Sequence, residues 1–276
     1  MKKMLILGVS GLVGTAIAKE CKDFFEVYGS YVSSTIKLPI KKQIQLHVGQ
    51  IEKLRETIQS VKPDIVISCL RGEFSQQLEF HKELALQLVD SHTILYFFST
   101  TNVFDGDFSR FHSEIDIPFA ESDYGNYKIQ AENIVREMLG ERAVIIRIPS
   151  IWGKESLRMN IVKEGVQKNQ VINVYRNLIR DNLLDTLLAK QLRFMIEKEL
   201  KGIIHLRSVD KITEAEFYER LLLKLTGQTS QLKHISYGEP KTTYYFGLNS
   251  NRYDIPQQLQ CTNDYIINEL TKEEKF

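Results

Sequence analysis

The sequence predicts an α/β protein built on a doubly wound parallel sheet. Short apolar runs alternate with helix-length amphipathic segments as far as residue 148, the pattern of parallel strands joined by crossover helices. The first run, K-M-L-I-L-G from Lys3 to Gly8, passes directly into Gly8-Val9-Ser10-Gly11-Leu12-Val13-Gly14. A later run, D-I-V-I-S-C from Asp64 to Cys69, is nearly all apolar, as a strand covered on both faces must be.

In chain order, the expected strands occupy residues 3–8, 26–31, 43–48, 64–69, 93–99 and 143–148, and the expected helices 12–20, 51–61, 76–91 and 125–139. Pro63 precedes the fourth strand, where a missing N–H is compatible with a strand start. Beyond Gly153 the alternation loosens. Residues 157–167 and 182–200 read as helices and 202–206 as a short strand. Thr213 opens T-E-A-E, a capping-box pattern, and a helix follows to residue 225; a last helix covers 263–271. No repeat and no low-complexity linker interrupts the chain. The expected division is therefore a dinucleotide-binding domain at 1–155 and a smaller C-terminal substrate-binding lobe at 156–276, partly interleaved with the first.

The glycine turn has the make-up of a phosphate cradle. Gly8 suits the tight turn, Gly11 lets backbone approach a pyrophosphate, and Gly14 lets the helix pack closely on the strand. Free N–H groups and the dipole of the helix that starts at Leu12 and Val13 then face the phosphates, beside Ser10. The spacing is G-x-x-G-x-x-G, one residue longer than G-x-G-x-x-G. A ligand-free glycine turn is the plain alternative; the place one strand from the N-terminus favours the cradle.

Charge excludes several partners. With 36 basic and 35 acidic residues the net charge is +1, so no basic excess points to nucleic acid and no polybasic run to a membrane. No apolar run approaches the ~20 residues of a transmembrane helix, and the N-terminal run ends in glycines too early for a signal peptide. Cys21, Cys69 and Cys261 are widely spaced and suit a reducing cytoplasm, with neither disulfide framework nor zinc site. The six histidines show no metal-ligand spacing; His81 reads as surface or packing and His205 as a satisfied core residue. A soluble cytoplasmic enzyme, monomer or homodimer, with no metal, is the expectation.

Tyr124-Gly125-Asn126-Tyr127-Lys128 places a phenol and an ammonium at i and i+4, on one helix face. A neighbouring cation favours the phenolate. Bringing a Tyr from a pKa of about 10 to near 7 takes roughly 4 kcal/mol of differential stabilisation and would make a proton donor suited to carbonyl reduction. Taken alone the pair is better explained by a shared exposed face; the rest of the chain is what favours chemistry.

Four segments in order resemble the extended short-chain dehydrogenase/reductase superfamily, and within it dTDP-4-dehydrorhamnose reductase and its sugar-nucleotide relatives. They are the glycine turn at 8–14; Phe98-Ser99-Thr100-Thr101-Asn102-Val103-Phe104-Asp105-Gly106, similar to S-T-D-Y-V-F-D-G; Tyr124 to Lys128 with Ile129-Gln130-Ala131-Glu132; and Ile146-Arg147-Ile148-Pro149-Ser150-Ile151-Trp152-Gly153, similar to L-R-T-x-x-V-Y-G. The resemblance implies a Rossmann-like fold, a nicotinamide cofactor and a nucleotide-linked 4-keto-6-deoxysugar as substrate. It implies Tyr124 as general acid, Lys128 as the group that lowers the Tyr pKa and bonds the nicotinamide ribose, and Thr100 as the hydroxyl that meets the carbonyl. Cofactor contacts are expected from the glycine turn, Ser33, Cys69, Leu70, Arg71, Ser99 and Pro149, and substrate contacts from Thr101, Asn102, Val103, Ser150 and Trp152. Ser99 and Thr100 close an apolar strand, where open α/β sheets bind ligands; an ordinary polar turn is the alternative.

The chain also departs from the pattern. S-T-D-Y becomes Ser99-Thr100-Thr101-Asn102, which removes an acid and an aromatic. The small-residue loop after the fourth strand becomes Ser68-Cys69-Leu70-Arg71-Gly72, where Arg71 either meets a phosphate or is solvated. Trp152 replaces a Tyr and reads as a packing residue before a sugar platform. No acid follows the second strand in Gly29-Ser30-Tyr31-Val32-Ser33-Ser34-Thr35-Ile36-Lys37, and Glu26 falls too early. Hydroxyls with Lys37 favour a 2′-phosphate, hence NADP, while a polar loop tolerant of NAD is the alternative. Three functions stay open: a reductase; an epimerase or dehydratase with tightly held NAD; and a non-enzymatic subunit, since the regulatory beta subunit of methionine adenosyltransferase resembles this family too.

Overall fold

The computed structural model describes residues 1–34 and 38–272. Lys37, expected beside a cofactor phosphate, lies outside the described residues. The order is β1 (Lys3–Leu7), α1 (Leu12–Cys21), β2 (Glu26–Tyr31), β3 (Gln43–Gln45), α2 (Ile51–Val61), β4 (Ile65–Ser68), α3 (Phe74–Leu88), β5 (Ile94–Thr100), α4 (Asp123–Leu139) and β6 (Ala143–Ile148). There follow β7 (Ser150–Trp152), α5 (Leu157–Gln167), β8 (Ile172–Tyr175), β9 (Leu178–Arg180), β10 (Asn182–Leu184), α6 (Asp185–Glu197), β11 (Ile203–His205), β12 (Ile212–Thr213), α7 (Glu214–Thr226), β13 (Leu232–Ile235), β14 (Tyr244–Phe246) and α8 (Asn263–Thr271).

Seven parallel strands make the main sheet in the order β3-β2-β1-β4-β5-β6-β11. This is the Rossmann-like doubly wound sheet that the alternation predicts. The direction of winding reverses between β1 and β4, which leaves a crevice at their carboxyl ends. The central strands β1, β4 and β5 are mostly apolar because both of their faces are covered. Met4 and Ile6 point to one side with Ile65, Ile67 and Phe98, against α1 and α6. Leu5 and Leu7 point to the other with Val66, Leu95 and Phe97, against α2, α3 and α4. Period-2 alternation thus builds two cores from one strand. Met4, Leu5, Ile6 and Leu7 are all 0% exposed, and each contributes roughly 1.5–3 kcal/mol by burial.

Several expectations change, most of them in the second half. Residues 182–184 are a strand and not the start of a helix, because Asn182, Leu183 and Leu184 pair in parallel with Ser150, Ile151 and Trp152. The third strand stops at Gln45. Strands β7, β8, β9, β10, β12, β13 and β14 run two to four residues each, too short to show a period. β11 joins the first-half sheet beside β6. The Thr213 cap forms by half: its hydroxyl accepts from Glu216 N at 3.1 Å, while the Glu216 carboxylate turns to Arg220.

Candidate functional site

A cavity of about 600 Å³ opens at the crevice, lined by the glycine turn, the ends of β4 and β5, the start of α4 and residues of the second half. Gly8 takes φ +83°, a conformation that glycine adopts at no steric cost. A side chain at Gly14 would strike the Gly8 carbonyl and stand 2.7 Å from Val9 Cα. Gly11 caps α1 without a side-chain hydrogen bond, so the N–H groups of the first turn stay open for an anion. Ser10, Leu12 and Val13 line the same wall. Ser30 accepts from Gly8 N at 2.9 Å and braces the turn from β2; its hydroxyl at a strand end, level with the glycines, is the signal that could have marked it.

Residues after β5 bring the reactive groups together. Thr100 caps the next turn, its hydroxyl accepting from Asn102 N at 3.2 Å. Asp105 accepts from Glu121 N at 2.8 Å and Ser122 N at 3.1 Å, and from the Ser122 hydroxyl. Ser122 in turn caps α4, accepting from Gly125 N at 3.0 Å. A Cβ on Gly125 would collide with the Asn102 carbonyl and Ala120 Cβ. The missing side chain lets α4 start hard against the Thr100 turn, and both Tyr124 and Lys128 line the cavity.

Their electrostatics differ from the expectation. Burial raises the Tyr124 phenol above its ordinary value; a hydrogen bond with Thr100 and the charge of Arg71 pull it back in part. Lys128 was expected to lower that phenol. Its ammonium instead donates to Phe98 O at 2.8 Å and lies 4.6 Å from the Phe97 ring centroid. Burial pulls Lys128 down to about 8, with Glu132 and Cys69 opposing that fall and Arg71 adding to it. Cys69 itself is pushed up to about 12 by burial, which leaves an inert thiol.

Leu70, Arg71, Thr101, Asn102, Pro149 and Ser150 also line the cavity. Ser99 does so too, but its hydroxyl donates to Glu132, which is paired with Arg147 at 3.0 and 2.7 Å. Three expected contacts fall outside the cavity lining. Ser33 stands on the exposed loop after β2. Val103 is 0% exposed and packs on Phe104 and Leu248. Trp152 is buried, donates to Asn182 Oδ1 at 2.8 Å and packs on Phe217 at 4.8 Å, so it is a core residue. His205 is satisfied by Asn249 O at 2.8 Å. His81 is buried, bonded to Ser68 at 2.7 Å.

The motifs missed the far wall, where Arg158, Arg180, Asp181 and Phe246 line the cavity. Arg180 lies over Phe246 at 5.2 Å and pairs with Glu214 at 3.3 Å. Burial and the charges of Arg180 and Arg71 lower the Arg158 guanidinium. Asp181 is already committed to Lys211. Two guanidiniums, of which Arg180 is paired with Glu214, make this wall suited to an anionic ligand. Among the described residues no group of three or more His, Cys, Asp or Glu side chains could hold a metal, and no helix is long and apolar enough to cross a membrane.

The model of the family described as RmlD substrate binding domain matches residues 1–243. Among curated proteins, the probable low-salt glycan biosynthesis reductase Agl14 of Haloferax volcanii is 22% identical over 249 residues, covering 83% of this chain and 82% of that one. Methionine adenosyltransferase 2 subunit beta of Danio rerio is 24% identical over 250 residues, covering 78% of this chain and 71% of that one. Among solved structures, dTDP-4-dehydrorhamnose reductase of Bacillus anthracis, in complex with NADP, superposes with a TM-score of 0.80 at 18% identity over 98% of this chain and 97% of that one.

Proposed function

The chain belongs to the RmlD substrate binding domain family, and we propose that within it the protein is an NAD(P)H-dependent reductase of a nucleotide-linked 4-keto-6-deoxysugar. The observation that carries the reading is the convergence of Thr100, Tyr124 and Lys128 on one cavity with the glycine turn. NADP is the proposed cofactor, with NAD the alternative. The open first turn of α1 and the space left by Gly14 fit a dinucleotide pyrophosphate. When bound, the dinucleotide supplies a hydride to the ketone carbon.

This chain's residues do the rest. Tyr124 donates its proton to the oxygen as negative charge builds there, an effect of about 10²–10⁴ in rate for a positioned donor. A raised phenol pKa keeps Tyr124 protonated and ready to donate at neutral pH. Thr100 donates a hydrogen bond to the same oxygen. Lys128 is assigned to the ribose, and the Arg158–Arg180 wall to the substrate diphosphate, with residues 156–276 serving as the substrate-binding lobe.

The test is NADPH oxidation with a panel of nucleotide 4-ketosugars beside the Tyr124→Phe variant. The variant should keep cofactor affinity and lose about 100-fold or more in turnover; unchanged turnover removes Tyr124 from the chemistry. Similarity to a methionine adenosyltransferase subunit favours a second reading, a non-catalytic dinucleotide-binding subunit. Stable association with a larger catalytic chain, with no ketosugar reduced, would select it.

A further inference from the structure

The turn after β5 holds a chain of hydrogen bonds whose directions follow from chemistry. Asn102, half-buried and on the cavity wall, spans two partners. Its Nδ2 donates to Asp105 Oδ2 at 3.2 Å. Its Oδ1 accepts from the Thr100 hydroxyl at 3.1 Å. The Asp105 carboxylate is anchored in turn, accepting from Glu121 N, Ser122 N and the Ser122 hydroxyl.

Donor and acceptor rules leave one arrangement. A carboxylate accepts and does not donate, so the Asn102 amide must turn its NH2 towards Asp105. That leaves Oδ1, which can only accept, on the side of Thr100. The single hydroxyl proton of Thr100 therefore goes to Asn102. The Thr100 oxygen also accepts from Asn102 N at 3.2 Å. What remains for the cavity, which Thr100 lines, is a lone pair. In the S-T-D-Y pattern an aromatic stands at the position of Asn102, and an aromatic ring has no amide to span Thr100 and Asp105.

A ketone oxygen can only accept a hydrogen bond, whereas an alcohol can also donate one. We propose that Asn102 is a positioning residue that sets the direction of the Thr100 hydroxyl, so that the site holds a 4-hydroxy sugar more tightly than the 4-keto sugar. The proposal rests on the reductase reading and deepens it. For Thr100 to donate to the ketone oxygen, its proton must leave Asn102 Oδ1. Towards the 4-hydroxy sugar the proton stays where it is, and Thr100 accepts.

Two measurements test this. Neutron diffraction from a deuterium-exchanged crystal of the parent protein reads the direction itself. The Thr100 deuteron should lie on the line to Asn102 Oδ1; a deuteron pointing into the cavity overturns the proposal. Calorimetry then reads the consequence, with each sugar in a complex that cannot turn over: dTDP-6-deoxyglucose with NADPH, and dTDP-4-keto-6-deoxyglucose with NADP⁺. In Asn102→Ala the ratio of the two affinities should fall about fivefold, the worth of one hydrogen bond. A merely structural role would weaken both sugars together and leave the ratio unchanged, which overturns the proposal. Thr100→Val, which removes the hydroxyl and keeps the shape, should lower the ratio in the same direction; if Asn102→Ala fails to fold, this variant and the neutron map decide. Should neither sugar bind the parent, the reductase reading fails, and the neutron map alone upholds or overturns the orientation.

Discussion

At the scale of single residues, burial governs the charges. His81 is pulled down to about 3 by burial and by the Lys128 charge, and His205 to about 4 by burial and by Arg147. Both stay neutral in the folded chain at pH values where the unfolded chain protonates them. The unfolded state therefore binds more protons below 6.5, and stability falls as pH drops from about 6.5 towards 4. Each group contributes at most about 1.4 kcal/mol per pH unit. Chemical denaturation followed at a series of pH values checks this: His81→Gln should flatten the slope, and an unchanged slope would exclude His81 as a source. Tyr124 and Lys128 were legible as a pair in the sequence. The partner that each would take was not, because the direction of an ammonium depends on which carbonyl lies within reach, here Phe98 O.

At the scale of elements, the start of α4 is the most constrained junction. Asp105 ties the turn after β5 to Ser122, Ser122 caps the helix, and the bare Cα of Gly125 lets the backbone of Asn102 approach. Alanine is a better helix former than glycine by about 1 kcal/mol, yet the added methyl meets backbone atoms that cannot swing aside. Gly125→Ala should therefore destabilise by about 1–3 kcal/mol and lower turnover by shifting Tyr124 away from Thr100. Melting and ketosugar reduction measure the two effects; a stabilised, fully active variant would show that the junction yields. The boundaries 26–31, 51–61, 143–148, 157–167 and 263–271 were readable residue for residue, since local periodicity decides them. β10 was not. Asn182, Leu183 and Leu184 would continue α6 by composition, and only pairing with β7 makes them a strand.

At the scale of the whole molecule, the second half completes the first. β11 lies beside β6 in the main sheet, α6 covers the face that α1 shares, and Arg193 of α6 pairs with Glu20 of α1 at 2.8 Å. A chain cut after residue 155 would expose Ile17, Cys21 and Ile146, all 0% exposed in the intact protein. It should lack a cooperative unfolding transition by circular dichroism; a sharp transition would show that the first half folds unaided. The amino-acid order alone settled the parallel sheet, the glycine turn after β1 and the Tyr–Lys spacing, because each is written in neighbours a few residues apart. Folding had to supply the rest: which carbonyl takes the Lys128 ammonium, which hydroxyl turns to Glu132, and how Arg158 and Arg180 come to wall the cavity. Those outcomes depend on distances between segments far apart in the chain, and short strands carry no local pattern that encodes them.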